Sequence, residues 1–263
     1  MLPSPVARAL IALLLVIGSS AVPARAADEK PDPARPPVVD PRADELLRAM
    51  GDYLAAADQF SFRAEITSGG ALPTGQQIEY AAVQDVAIRR PNRAYVEYEG
   101  DLGASQLWYD GRQVTVYDGD ENAYATTPVP GKLDAALDRL LDAHGFTPPL
   151  ADLVRSDPYR ALHKRAHFGV YVGKTTVDGV RCHHLAFMDE HIDWQIWIED
   201  GTQIVPCKLV ITYTSLPGAP EFRAVLSDWE FDGRLADALF TPLLPPSAAK
   251  REFDTVSKVV KAK

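Results

Sequence analysis

The chain has 263 residues, 46% of them apolar, and carries 27 basic against 36 acidic side chains for a formal charge of −9. A chain of this length can bury a sizeable core and fits one domain. The acidic balance excludes nucleic acid as a partner, because phosphate binding demands a basic surface, and it gives no general attraction to anionic lipid heads.

Arg8 precedes the nine-residue apolar run Ala9 to Ile17, Gly18-Ser19-Ser20 breaks that run, and Ala24-Arg25-Ala26 gives a small-x-small cleavage pattern. Residues 1–26 therefore read as a signal peptide, with the mature chain expected to start near Ala27. The run is far short of the roughly 20 apolar residues that a spanning helix needs. Cleavage removes Arg8 and Arg25 and no acid, so the formal charge passes from −9 to −11. A lipoprotein needs a cysteine at the cut site, and the first cysteine is Cys182. The expected product is periplasmic, soluble, not lipid-anchored, without stable membrane insertion, and monomeric.

Residues 27–41 hold Pro31, Pro33, Pro36, Pro37 and Pro41 among charges and read as a flexible leader. A helix follows, with Leu46, Leu47, Met50 and Leu54 at helical spacing and Asp44 and Glu45 near its start. The period then changes to two: Phe60, Phe62, Ala64 and Ile66 alternate with Ser61, Arg63, Glu65 and Thr67, a half-buried strand. Further strands are expected over 77–89, 93–100, 105–109, 113–118 and 122–127, with Asp110-Gly111 as a hairpin turn. Helical spacing returns over 132–144 and again near 148–155, after Pro148-Pro149. After Pro158 the chain reads as strand-like again, with strands expected over 167–177, 180–187, 192–199, 205–214 and 221–231, punctuated by Asp178-Gly179 and Asp200-Gly201. Residues 247–263, with Lys250, Arg251, Lys258, Lys261 and Lys263, read as a basic tail.

No helix separates successive strands within either run, so the pairing is expected to be antiparallel. The fold class is α+β: a strongly curved antiparallel sheet of ~11 strands, with helices on its concave face, forming one domain over 42–246. Trp194, Ile196 and Ile198 share one face of their strand, as do Leu209, Ile211 and Tyr213, and Phe222, Ala224 and Leu226. With Phe62, Tyr95 and Trp108 from the first half, the expected cavity lining is Phe62, Tyr95, Trp108, Trp194, Ile196, Leu209, Ile211 and Leu226.

The chemistry-bearing clusters reduce to simpler readings. His183, His184, His191, Asp189 and Glu190 suggest a metal cluster, but neighbours on a strand point to opposite faces, so His183 and His184 cannot face one ion. Asp118-Gly119-Asp120-Glu121-Asn122 opens like a calcium loop, yet Ala123 and Val129 stand where an EF-hand needs Gly and Glu. Glu97 and Glu99 share one strand face, read as a solvated outer face. No nucleophile elbow, P-loop, zinc-protease or dinucleotide motif occurs; no enzyme, cofactor or metal is expected. Cys182 and Cys207 would meet an oxidising compartment. A strand lying between theirs would hold the Cα atoms about 9–10 Å apart, beyond a bridge; a splayed sheet or loop position would permit one.

The segment Gly173-x4-Asp178-Gly179-Val180-x-Cys182-His183-His184-Leu185-Ala186-Phe187, then Asp193-Trp194-Gln195-x-Trp197-Ile198 and Pro206-x-Lys208-x-Val210-Ile211-Thr212-Tyr213, resembles an uncharacterised family of predicted periplasmic proteins. That family is similar to the LolA/LolB-like lipoprotein-carrier superfamily, which includes the periplasmic stress regulator RseB. The resemblance implies a half-barrel closed by helices over an apolar cavity, which in the carriers receives acyl chains. It implies a hydrophobic small molecule or lipoprotein acyl chain as partner, or, on the regulator's pattern, another envelope protein.

Overall fold

The computed structural model describes residues 38–253 apart from 72–73, 130, 146–149 and 165. The expected signal peptide, leader residues 27–37 and tail residues 254–263 lie outside the described residues.

In chain order the elements are β1 (Val38–Val39), α1 (Pro41–Ala56), β2 (Gln59–Ala71), β3 (Gln77–Arg89), β4 (Arg93–Gly100), β5 (Gly103–Tyr109), β6 (Gln113–Asp118) and β7 (Ala123–Pro128). Three helices follow: α2 (Leu133–His144), α3 (Ala151–Val154) and α4 (Pro158–His163). Then come β8 (Phe168–Val177), β9 (Val180–Met188), β10 (Asp193–Glu199), β11 (Pro206–Thr212), β12 (Glu221–Glu230) and β13 (Ala249–Lys250). Local chemistry explains the boundaries. The Asp40 carboxylate accepts from Arg42 N at 2.7 Å and Pro41 opens α1, a capped start. Asp178 and Gly179, with φ of 45° and 86°, form the two-residue turn that pairs Val177 with Val180.

One open, strongly curved sheet results, in the order β1-β8-β9-β10-β11-β12-β2-β3-β4-β5-β6-β7-β13. Two antiparallel meanders, β2 to β7 and β8 to β12, are sewn together by β12 against β2, with Leu226 opposite Ala64. The sheet has 13 strands rather than about 11. The two additions are the edge pairs β1 and β13, each two residues long and parallel to its neighbour. Two residues carry no readable period, so these pairings were invisible in the sequence.

Period two sends one row inward on every strand. Phe62, Val86, Val96, Leu107, Val116 and Ala125 face one another in register from β2 to β7, and Phe187, Trp194 and Ile211 do so from β9 to β11. The buried α1 face (Leu46, Leu47, Met50, Leu54) and the buried α2 face (Leu133, Ala136, Leu137, Leu140) join the same core. After Pro158 the sequence suggested strand, but α4 is a helix; the Asp157 side chain accepts from Arg160 N at 2.8 Å and Pro158 sits at its start, a helix-start signal.

Beyond β12 the chain turns back over the outer face. Gln59 binds Gly233 O and Leu235 N, Arg89 donates to Leu235 O and to the Asp237 carboxylate, and the Arg89 guanidinium covers the Phe240 ring at 4.9 Å. Asn122 then holds Ser247 and β13 pairs with β7. Phe253 is buried, 4.6 Å from the His144 ring at the end of α2. The first part of the expected tail is therefore docked structure.

Candidate functional site: an apolar cavity under α3 and α4

Between the concave face of β10–β12 and the α3–α4 segment lies a cavity of about 290 Å³. Its floor is Trp194, Leu209, Ile211 and Phe222; its roof is Leu150, Ala151, Leu153, Ala161 and Leu162; Asp152, Asp189, Ile192 and Tyr213 complete the lining. Ordinary interiors leave few voids larger than one water, whereas this one approaches the roughly 300–1,000 Å³ of small-molecule pockets. A second void of about 40 Å³ lies beneath α2, against β2 to β6, and Leu150 and Ala151 line both.

Polar contacts pin the roof to the rest of the molecule. Asp44 on α1 accepts from the Tyr159 hydroxyl at 2.6 Å and lies 3.2 Å from His163 Nε2 and 3.5 Å from Arg48 Nη2, so both α4 side chains meet one carboxylate. Burial first, then the Asp44 hydrogen bond, pushes the Tyr159 phenol up to about 12. The half-buried Arg90 guanidinium donates to Val154 O at 3.0 Å and Arg155 O at 2.8 Å, at the end of α3, and to Leu54 O of α1 at 3.5 Å. One cation thus closes the carbonyl ends of two helices.

The residues expected to line a cavity separate into three groups. Trp194, Leu209 and Ile211 line the larger void, and Phe62 lines the smaller. Ile196 and Leu226 face inward but are buried in the packed core, touching neither void. Tyr95 and Trp108 are a correction. They pair with each other on the outer face, while their neighbours Ala94, Val96, Leu107 and Tyr109 face inward. Tyr95 binds Glu97 at 2.9 Å there, beside the expected acid pair. Trp108 is only 4% exposed, so aromatic character and burial alone do not identify the cavity face; register does. Tyr213 and Phe222 were legible as period-two neighbours of Ile211 and Ala224, whereas the roof residues gave no cavity signal in so short a helix.

His183 and His184 take opposite faces. His183 lies between Tyr171 (3.1 Å) and Asp200 (3.0 Å), while His184 stacks on Trp197 at 4.0 Å and contacts Gln195 at 2.9 Å; burial lowers the His184 imidazole. Among the described residues no three His, Cys, Asp or Glu side chains gather as a metal site.

Cys182 and Cys207 are both buried, with their Sγ atoms 2.6 Å apart although β10 runs between their strands. The ladder shifts from Trp197↔Lys208 to Ile198↔Pro206, leaving Cys207 as the extra residue of a bulge near the start of β11. Hydrogen bonding to Cys207 lowers the Cys182 thiol, and the same contact, with burial, pushes Cys207 up.

No helix among the described residues is long and apolar enough to cross a membrane. Among curated proteins there is no match. Similar solved structures include LprF from Mycobacterium bovis, at 13% identity over 81% of this chain and 99% of that one, with a TM-score of 0.43. LppX from Mycobacterium tuberculosis matches at 11% identity over 74% and 98%, with a TM-score of 0.40. A LolA superfamily protein from Nitrosomonas europaea matches at 14% identity over 76% and 97%, with a TM-score of 0.35. Over residues 43–254 the sequence matches the model of a family described as predicted periplasmic protein (DUF2092), and the chain belongs to that family.

Proposed function

We propose that this is an exported, non-enzymatic carrier, a single half-barrel unit freed from its signal peptide and not lipid-anchored, that holds a hydrophobic ligand such as an acyl chain under α3 and α4. The observation that carries this is the cavity of about 290 Å³ walled by Trp194, Leu209, Ile211 and Phe222. Each methylene moved from water into it gains about 0.8 kcal/mol, so affinity needs few polar contacts. Entry and exit follow from movement of α3 and α4 away from α1, against the contacts of Tyr159, His163 and Arg90. The test is native mass spectrometry of protein purified from periplasm, followed by delipidation and titration with the neutral dye Nile red. Co-purifying lipid and saturable dye uptake, both reduced by Ala161→Trp, are expected; ligand-free protein that takes up no dye overturns the reading.

A second reading is an interaction module with a protein partner. Met188 at the end of β9, Tyr213 and Leu216 are each more than a third exposed, and the loops after β9 and β11 are joined by Ser215 N to His191 O. Cross-linking that captures a stoichiometric protein on an empty cavity would favour it.

In an oxidising compartment Cys182 and Cys207 are further proposed to form a disulfide. Thiol titration of the unfolded, unreduced protein is expected to find none; two free thiols would refute the bridge.

A further inference from the structure

Gln84 interrupts the apolar lining of the smaller void. It stands on β3 between Ala82 and Val86 in the inward row, it is 1% exposed, and its Nε2 has no hydrogen-bond partner. Its register neighbours continue the anomaly: Gln84 faces Tyr98, Tyr98 faces Ser105 and Ser105 faces Asp118, a polar row across β3 to β6 next to the apolar row Val86–Val96–Leu107–Val116. A buried amide without a partner costs free energy that native interiors avoid. A leucine would fill the site without that cost.

The charge around the two voids narrows the ligand further. Among the described lining residues there is no Lys, Arg or His, and the only charged ones are Asp152 and Asp189, both at the larger void. A carboxylate drawn inside would have no counter-charge, whereas a neutral carbonyl oxygen needs only one donor.

Resting on the carrier reading above, we propose that Gln84 is a ligand-recognition residue: its amide donates to the uncharged ester or amide carbonyl of an acylated ligand. Displacement of Leu150 and Ala151, the residues shared by both linings, joins the two voids so that the acyl chain occupies the larger one. The site selects acyl esters and amides over free fatty acids and over plain hydrocarbon.

The test compares delipidated wild-type protein and Gln84→Leu, by competition against Nile red, with methyl palmitate, palmitate at neutral pH and hexadecane. For the wild type, the ester is expected to bind tightest. Gln84→Leu is expected to weaken the ester roughly tenfold, about one hydrogen bond in a dry site, to leave hexadecane unchanged, and to raise the Tm of the empty protein. Equal ester binding by both proteins, or palmitate binding tighter than the ester, overturns the role of Gln84 while leaving the carrier reading intact. Failure of all three ligands and of the dye overturns both. Dioleoylglycerol and an N-palmitoyl peptide separate a glyceride from an acylated polypeptide as the source. Gln84-dependent binding of either supports the assignment, and its absence for both refutes it.

Discussion

Gly51 marks the closest approach of α1 and α4: a Cβ there would sit 2.6 Å from Tyr159 Cβ and 2.7 Å from Tyr159 N. Gly51→Ala gains about 1 kcal/mol of helix propensity but forces overpacking that typically costs about 1–3 kcal/mol. A net loss is expected, read as a lower urea midpoint together with weaker dye binding as α4 is pushed off its seat. Tyr159 makes the same junction sensitive to alkali. Its folded pKa, about 12, lies above the unfolded value near 10, so its stabilising effect is complete below pH 10 and is lost as pH rises from there toward 12. Tyr95 is likewise raised to about 12, so tyrosinate absorbance should show one fewer late-titrating phenol in Tyr159→Phe than in the wild type; equal numbers in the two proteins would refute this. Single residues were the least legible level of the sequence. The alternation of Phe62, Trp194, Leu209 and Ile211 placed them on the inward face, but Tyr95 and Trp108 have the same composition on the other face. Only their register, one step out of phase with the inward pair Val96 and Leu107, distinguishes them.

Elements were far more readable, because eleven strands and three of the helices announce themselves by a sustained period or a turn. Asp178-Gly179 and the apolar faces of α1 and α2 carry their own signals. The short α4, the edge pairs and the return of the chain over the outer face do not, since each is fixed by what it packs against. That return segment has its own energetic content. Phe240 is 1% exposed beneath Arg89, and Phe→Ala at a buried site costs about 3–5 kcal/mol. Phe240→Ala is expected to lose stability in that range in urea unfolding, with dye affinity unchanged because the segment lies outside the cavity. A change under about 1 kcal/mol would mean that the strap is dispensable.

For the whole molecule, acid sensitivity follows from carboxylates held in ionised form. The hydrogen bond from Lys174, then its charge with those of His183 and Arg181, holds Asp200 below the usual carboxylate range, and Arg89 does the same for Asp237. Both folded values lie under the unfolded one near 4, so this stabilisation is present above that pH and is lost as pH falls through it. Thermal unfolding between pH 7 and 3 should show a shallower decline for the Lys174→Met, Arg89→Met double variant; parallel curves would refute the assignment. The seam between β12 and β2 has a different consequence. Ala64 and Leu226 meet at the middle of the sheet, so its centre is the last place a growing polypeptide can complete. Until the final long strand arrives, the 13-residue β2 offers one bare ladder to any passing neighbour. A nascent chain that stalls short of residue 221 is therefore a seed for aggregation rather than a smaller working protein.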